Sequence, residues 1–341
     1  MSVKRTMSVK ELSLSQFMSD RKSILSFLEQ QKTPVSMGKI KEHISFNVTG
    51  RTVRWWLNDA ANNGDILIYG SKRTTTYLSL KKSQVFKFLQ GKPAALQEQI
   101  LKLLRDLWTH HSTAIEGNTL TLGDTQFILD EGLTISGKPI KEHQEIIGHA
   151  GAIELLYRML NIGVSTKNIF ELHKAMQTDI IHNIYKPYGA WKVEPNGTRA
   201  RDLSGKPTYL EYAHPRHVEK LMSEVINFIN STSQLKNTKN AIHAYAMVHV
   251  AIAHIHPFWD GNGRIARLLA NIPILNTGLP PIVIPNERRQ EYIQLLASYE
   301  LSAGQLTDST GVWPKKDALN DFEVFCQQCY EATVSIIDIN E

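Results

Sequence analysis

The residues best suited to chemistry lie within twelve positions, 256–267, which read His-Pro-Phe-Trp-Asp-Gly-Asn-Gly-Arg-Ile-Ala-Arg. The histidine can accept a proton, the carboxylate can hold Mg2+, and two arginines one turn apart can bind phosphate oxygens. Catalysis of phosphoryl or nucleotidyl transfer is mostly positioning and charge stabilisation. The inventory of this segment therefore suits chemistry on a phosphate.

Two helices are expected to hold these residues in place. The apolar run 241–253 predicts a buried helix, which Pro257 should end because proline disfavours helical geometry in the residue before it. Asp260, Gly261 and Asn262 then supply a turn, and residues 264–270 begin a second helix. Free N–H groups and the positive end of the helix dipole meet at that start and favour an anion.

The same segment resembles, position for position, the Fic family signature H-P-F-x-D/E-G-N-G-R-x-x-R. The resemblance covers about residues 94–341 and implies a mainly α fold, in which a Fic-type helical core carries a small β-hairpin flap. It also implies a protein adenylyltransferase, which moves AMP from ATP, with Mg2+, to a Ser, Thr or Tyr hydroxyl of a target protein and of itself. By this resemblance His256 is the base and Asp260 holds the metal. The implied ATP contacts are Gly261, Asn262, Gly263, Arg264, Arg267, Tyr292 and Glu300.

A helix predicted over 94–111 leads into a second motif, at 112–118, which reads S-T-A-I-E-G-N. Ser112 and Glu116 are four residues apart, so they share one face if the helix continues. Beside the first motif, this segment resembles the inhibitory S/T-x-x-x-E-G/N helix of Fic proteins, near 100–118 here. The resemblance implies that Glu116 pairs with Arg267 in place of the γ-phosphate of ATP and restrains the enzyme.

Residues 185–212 differ in composition, because glycine and proline interrupt any helix there. In the Fic resemblance this is the flap, near 189–212, which holds the main chain of the target by strand addition. Its arms are expected at 191–193 and 208–210, so that Thr208, Tyr209 and Leu210 contact the target. A polar insert at 199–206 departs from the commoner short flap and leaves the target open.

Charge is distributed unevenly along the chain. Residues 1–92 hold sixteen Lys and Arg against six Asp and Glu, a net charge of +10, whereas the whole chain carries +5. Glycine and proline at 89–93 mark the expected seam between a basic module at 1–90 and a Fic catalytic domain at 91–341.

The basic module is expected to contain three helices, at 20–31, from Ser36, and at 51–62, followed by strands at 66–69 and 74–80. This order resembles a winged helix-turn-helix. The resemblance places Arg51 and Arg54 on the recognition helix and Lys72 and Arg73 at the tip of the wing, where they would contact DNA. The alternative is a protein-docking or dimerisation module with a solvated basic face, and a homodimer is left open.

Composition narrows the remaining classes of function. A hydrophobic fraction of 42% predicts a packed core, and no apolar run reaches the ~20 residues of a membrane span. Because no signal peptide is evident, we expect a cytoplasmic protein without membrane contact. Cys326 and Cys329 lack the second pair that a zinc site requires, and His173 is expected to be structural.

Three other activities stay open on the sequence. The inhibitory glutamate of the family can also position water, so the chain can remove AMP from a modified target. The Fic core can serve as the sensor of a DNA-binding transcription regulator. Because the loop chemistry binds phosphates rather than adenine, another phosphate-containing group is a third candidate for transfer.

Overall fold

The computed structural model describes residues 14–31, 34–44, 49–62, 66–69, 75–79, 86–160, 162–177, 184–201 and 206–339. The chain divides into two compact units, Met1–Val85 and Phe86–Glu341. Each unit has a hydrophobic core of its own.

The first unit contains three helices and a small sheet. In chain order these are α1 (Leu14–Glu29), β1 (Val35–Ser36), α2 (Met37–His43), α3 (Gly50–Asn62), β2 (Ile66–Tyr69) and β3 (Thr76–Ser79). The central strand β3 pairs antiparallel with both of the others. Three helices before an antiparallel hairpin is the expected order, and the winged-helix assignment stays a prediction. The predicted tip of the wing, with Lys72 and Arg73, lies outside the described residues.

Helix α3 is amphipathic, and its periodicity explains why it forms. Val53, Trp56, Leu57 and Ala60 recur at helical spacing and are buried in the core of this unit. The adjacent Trp55 lies on the other side of the helix and is largely exposed.

The second unit is almost entirely helical. Its elements are α4 (Ala94–Ile115), α5 (Leu122–Glu131), α6 (Ile140–Met159), α7 (Thr166–Ala175), β4 (Gly197–Arg201), β5 (Pro207–Glu211), α8 (Pro215–Ser231), α9 (Thr238–Ile255), α10 (Asn262–Leu269), α11 (Asn271–Thr277), α12 (Arg289–Ala303) and α13 (Asn320–Ile339). Short 3-10 turns lie at Lys87–Leu89, Thr232–Gln234, Asn286–Arg288 and Lys316–Leu319. The predicted mainly α fold is confirmed.

Helix α9 is the centre of this unit. Every residue from 244 to 255 is buried, which is the expected state of a helix that is apolar on all sides. Helices α8, α10, α11, α12 and α13 pack around it. The end of α9 therefore lies deep in the molecule, at the point where the loop 256–261 begins.

The structure extends or shortens several predicted helices. Helix α4 continues past 111 to Ile115, and Gly117 then turns the chain with a φ of 105°. Helix α5, which the sequence reading did not single out, starts with a capping box between Thr121 and Asp124. Helix α7 ends at Ala175, and α1 begins at Leu14 rather than at the expected residue 20.

The predicted first arm of the flap is wrong. The strand that pairs with β5 is β4, with Gly197 opposite Glu211, so residues 199–201 belong to the hairpin and not to an insert. Trp191 instead packs against Phe170 and Phe258. Because Trp191 packs against the core beside the loop 256–261, its segment does not form a strand of the hairpin.

None of the described helices combines the length and the apolar character that crossing a bilayer requires. The expected cytoplasmic location stays a prediction.

Candidate active site

The loop after α9 is closed by one buried side chain. Asn262 accepts a hydrogen bond from the backbone N–H of Phe258 (2.8 Å) and donates one to the carbonyl of the same residue (2.9 Å). Gly261, with a φ of 78°, begins α10, and the first intrahelical bond runs from the N–H of Ile265 to its carbonyl. The N–H groups of the first helical turn therefore have no intrahelical acceptor and suit an anion.

His256 ends α9 in a left-handed conformation, with φ 51° and ψ 59°. Its ring stacks on that of Tyr212, with centroids 3.8 Å apart. The Nδ1 atom lies 3.2 Å from the carbonyl oxygen of Ala253, so Nδ1–H donates there and Nε2 is left as an acceptor. Burial and, next in size, the positive charge of Lys192 lower the pKa of His256 to about 4. The imidazole is therefore neutral at pH 7.

Arg267 is buried and held by three partners. Its Nε donates to Ser112 Oγ (2.9 Å), and its Nη2 donates to the carbonyl of Ser112 (2.9 Å) and to Glu116 Oε1 (2.6 Å). Its Nη1 donates to the hydroxyl of Tyr292 (3.2 Å). Helix α4 thus delivers both Ser112 and Glu116 to one guanidinium.

Glu116 occupies space beside the start of α10. A Cβ atom built on Gly263 would collide with Oε1 of Glu116, so the carboxylate lies directly against the glycine. Burial, the largest single effect, raises the pKa of Glu116, but the charge and hydrogen bond of Arg267 together with the charge of Arg264 outweigh it, so the net shift is downward. An ionised carboxylate therefore lies where the arginine and the helix start would otherwise face an anion.

Asp260 and Arg264 lie on the other side of the loop. The side chain of Asp260 is 66% exposed, and its Oδ1 accepts the N–H of Gly261 (2.7 Å). The buried Arg264 reaches the carbonyl of Met176 with Nη1 (3.5 Å), whereas its Nε has no hydrogen-bond partner among the described residues. An orphaned guanidinium donor beneath the loop suits a bound phosphate.

Glu116, His256 and Arg267 border a cavity of about 850 Å3, which Asp260 and Arg264 do not line. Its wall includes Glu116, His256, Gly263, Arg267, Tyr292 and Glu300, together with apolar side chains of α12. The Tyr292 hydroxyl bridges Arg267 and His249 (3.2 Å to its Nε2). Glu300 is 5% exposed, its backbone carbonyl accepts the N–H of Gly304 (3.0 Å), and burial raises the pKa of its carboxyl group to about 8.

The hairpin lines the cavity through three residues other than the predicted target contacts, and those contacts stay a prediction. Thr198, Arg199 and Pro207 line the cavity, whereas Thr208, Tyr209 and Leu210 do not. Tyr209 is largely exposed and Leu210 is buried. In the first unit, Arg51 and Arg54 are exposed on α3.

Sequence reasoning did not identify three side chains that shape the site. Tyr212 supports the His256 ring, and Arg289 donates to the carbonyl of Ile115 at the end of α4 (2.6 Å). His173, which was expected to be structural, accepts the N–H of Gly189 at Nδ1 (2.9 Å) and bonds the carbonyl of Asp260 through Nε2 (3.0 Å). No local sequence pattern could have identified these residues, because each lies far from the motif in sequence and reaches the site only in the folded chain.

Comparison with known proteins shows that part of this chain is similar to the Fic/DOC family. The model of the Fic/DOC family matches residues 163–274. The protein adenylyltransferase fic-1 of Caenorhabditis briggsae is 37% identical over 188 residues, which cover 54% of this chain and 35% of that protein. The protein adenylyltransferase Fic of Drosophila melanogaster is 32% identical over 191 residues, covering 55% and 36%. The chain thus spans about a third of the length of these relatives.

Solved structures agree with this result. A Fic domain containing signaling protein from Bacteroides thetaiotaomicron superposes with a TM-score of 0.63 at 26% identity, covering 74% of this chain and 92% of that one. Fic-1 from Caenorhabditis elegans, at 22% identity, shares the fold with a TM-score of 0.55, covering 96% of this chain and 82% of that one. The loop 256–261 and its two helices lie within residues 163–274, the segment that matches the Fic/DOC family model.

Proposed function

We propose that this chain is a protein adenylyltransferase that its own Glu116 holds inactive. The reaction class is supported by the similarity to proteins named as protein adenylyltransferases in Caenorhabditis briggsae and Drosophila melanogaster. The observation that carries the proposal is the arrangement around one cavity of a neutral His256, the start of α10, and Arg267 paired with Glu116. A base, an anion site and a competing carboxylate then face the same volume.

In this reaction Nε2 of His256 takes the proton from a Ser, Thr or Tyr hydroxyl of the target. The hydroxyl oxygen forms a bond to the α-phosphorus of ATP, and the bond between that phosphorus and pyrophosphate breaks. N–H groups at the start of α10 and the guanidinium of Arg264 stabilise the phosphate charge. Arg267 is the partner for the γ-phosphate once Glu116 has left it.

Asp260 is the residue that would hold Mg2+. Its exposed carboxylate offers the hard oxygen that this ion prefers, and the described residues contain no cluster of three or more metal-ligating side chains. Such a site fits Mg2+, which is commonly bound by one or two carboxylates together with substrate phosphates and water. When bound, the ion would neutralise part of the phosphate charge.

The experiment that tests the proposal replaces Glu116 by glycine. Glu116→Gly removes the carboxylate that competes with phosphate for Arg267, so transfer from ATP should rise by at least tenfold, including transfer to the protein itself. Incubation with labelled ATP followed by intact-mass measurement detects the added AMP. Parallel incubations with UTP and other nucleotides show whether a different phosphate-containing group is preferred.

Two controls make this result specific. Glu131→Gly changes an exposed glutamate at the end of α5, which also precedes a glycine, and should leave transfer unchanged. The double variant Glu116→Gly/His256→Ala should bind ATP and transfer almost nothing. Unchanged transfer in Glu116→Gly would refute restraint by α4, and strong transfer by the double variant would refute the base.

A second candidate is removal of AMP by the wild-type chain. It is favoured by the position of Glu116, whose side chain is 42% exposed and lines the same cavity as His256. A carboxylate there can position water for attack on a phosphoester. Protein modified by Glu116→Gly is the substrate for this test, and loss of its AMP label on addition of wild type would show the activity.

We further propose that the first unit contacts nucleic acid. Two exposed arginines on one helix and the basic composition of residues 1–92 support this proposal. The protein-docking alternative predicts no binding to DNA.

A further inference from the structure

A buried lysine lies behind the catalytic loop. The side chain of Lys192 is in the segment that leads to the flap, and only 2% of the residue is exposed. Its Nζ donates to Asn196 Oδ1 (2.5 Å) and to the carbonyl of Ile255 (3.3 Å). A lysine is rarely buried so deeply without a partner for its charge, and here the partners are the carbonyl end of α9 and one amide oxygen.

The contacts of Lys192 and Asn196 surround His256, whose backbone conformation is unusual for a residue other than glycine. The backbone N–H of Lys192 donates to the carbonyl of Pro257 (2.8 Å), and Asn196 Nδ2 donates to the carbonyl of Phe258 (3.2 Å). With the bond to Ile255, three of the carbonyls around His256 are held. Among the described residues, His256 is the single residue other than glycine with a positive φ, and such a conformation persists only where its surroundings enforce it.

The same lysine also acts on the imidazole through charge. Its Nζ lies 5.9 Å from the centre of the Tyr212 ring, and that ring stacks on His256. The backbone N–H of Tyr212 donates to the carbonyl of Asn196 (3.1 Å), so the stacked ring is tied to the same pair. Position and charge of the imidazole therefore both depend on residues outside the motif.

We propose that Lys192 is a positioning residue, which with Asn196 clamps the loop around His256 and holds its imidazole in the orientation that proton transfer requires. The inference rests on the proposed transfer reaction for its kinetic consequence alone. Its structural consequence, the state of the His256 ring, can be measured whether or not the chain transfers a nucleotide.

The charged groups around His256 determine whether its pKa should rise or fall when Lys192 is removed. Burial and Lys192 lower the pKa of His256, and Glu116 and Asp260 raise it. Lys192 itself faces Glu211, and burial lowers the pKa of Lys192 to about 7. Below pH 7 the lysine is therefore mainly charged and opposes protonation of the histidine. Its removal must raise the pKa of His256 from about 4 toward the ordinary value.

The test compares Lys192→Met with Lys192→Arg. Titration of the His256 ring by NMR should show a higher pKa in Lys192→Met and a value near that of the unchanged chain in Lys192→Arg. In the Glu116→Gly background, Lys192→Met should lower kcat by roughly 10-fold to 100-fold, because small displacements of a catalytic group are that costly. The affinity for ATP, measured by calorimetry, should stay within about twofold, and Lys192→Arg should restore most of kcat.

Further variants keep the outcome interpretable. Lys167→Met replaces an exposed lysine on α7 and should change neither the His256 pKa nor kcat. If Lys192→Met does not fold, Asn196→Ala removes one half of the clamp and leaves the charge, so it should lower kcat with little change in the pKa. An unchanged His256 pKa in a folded Lys192→Met, or unchanged kcat in both variants, would overturn the clamp. Absence of transfer in Glu116→Gly itself would instead reject the proposed function.

Discussion

At the scale of single residues, Arg267 is held in place by other contacts besides the one with Glu116. Ser112 accepts two of its hydrogen bonds and Tyr292 a third, so three contacts stay when Glu116 leaves. The guanidinium is therefore already oriented for an incoming phosphate, which lowers the cost of ordering it on binding. The hydroxyl of Tyr292 serves Arg267 in this structure, and its contact with ATP stays a prediction.

This anchoring gives a prediction for Ser112→Ala in the Glu116→Gly background. Loss of the hydroxyl removes one contact that orients Arg267 before ATP binds, so ordering this side chain on binding should cost about 0.5–1.5 kcal/mol. The affinity for ATP should therefore fall by roughly twofold to 12-fold, as measured by calorimetry. Ser231→Ala, at the end of α8, serves as control and should not change it. An equal affinity in both variants would show that Ser112 does not orient the arginine.

Glu300 gives a prediction for pH dependence. Its pKa is raised to about 8 by burial, so the folded chain holds a proton that the unfolded chain releases near pH 4.5. The free energy of unfolding should therefore fall as the pH rises from about 4.5 to 8. Glu300→Gln removes this loss, so the variant should be more stable than wild type at pH 9 by a few kcal/mol and nearly equal at pH 4.5.

Urea unfolding at the two pH values measures this difference. Glu171→Gln alters a half-exposed glutamate on α7 and should show no comparable dependence on pH. A stability difference for Glu300→Gln that is the same at both pH values would contradict a neutral carboxyl at this wall of the cavity.

At the scale of elements, α6 and α7 pack closely together and support the segment after loop 256–261 through Arg264. A Cβ atom on Gly148 would lie 2.5 Å from the carbonyl oxygen of Ala175 and 3.2 Å from Cα of Met176. The carbonyl of Met176 is the acceptor for Arg264, so this contact helps to position the Arg264 guanidinium. Gly148 is required by the packing of the two helices, because its own backbone conformation is helical and would accept other residues.

Two alanine variants on one helix test this contact. Gly148→Ala should destabilise the protein by about 1–3 kcal/mol, because the backbone of α7 must move. Gly151→Ala has nothing within 4 Å of the new Cβ and should stabilise α6 by about 0.5–1 kcal/mol. Thermal unfolding of both variants gives the comparison. Equal changes in melting temperature would show that the two helices can separate without cost.

At the scale of the whole molecule, the chain joins a basic unit to a unit that contains the proposed active site. If α3 contacts DNA, the double variant Arg51→Ala/Arg54→Ala should weaken binding at low salt and reduce the slope of log K against log salt by about 2. Fluorescence anisotropy with a duplex at several salt concentrations measures both quantities. Lys167→Ala/Lys220→Ala removes the same charge from the other unit and should preserve binding. No binding by wild type at low salt would favour the protein-docking alternative.

Local sequence signals carried much of the architecture. The apolar run before the motif predicted the buried helix α9, and proline and glycine predicted where it would end. The same signals failed at the flap, because the sequence around Trp191 has the composition of a strand and its packing against Phe258 is a tertiary event. Helix boundaries were also inexact where packing extends a helix, as in α4.

The sequence by itself determined the chemistry that the loop can perform, because the spacing of His256, Asp260 and the two arginines follows from a local turn between two helices. It also indicated, through resemblance, that Glu116 would meet Arg267. Only the tertiary structure decided how His256 is held in position. Tyr212, Lys192 and Asn196 come from another segment, and their contacts with the loop exist only after the chain has folded back on α9. The protonation state of His256 depends on this burial and on that neighbouring charge, neither of which a local pattern specifies.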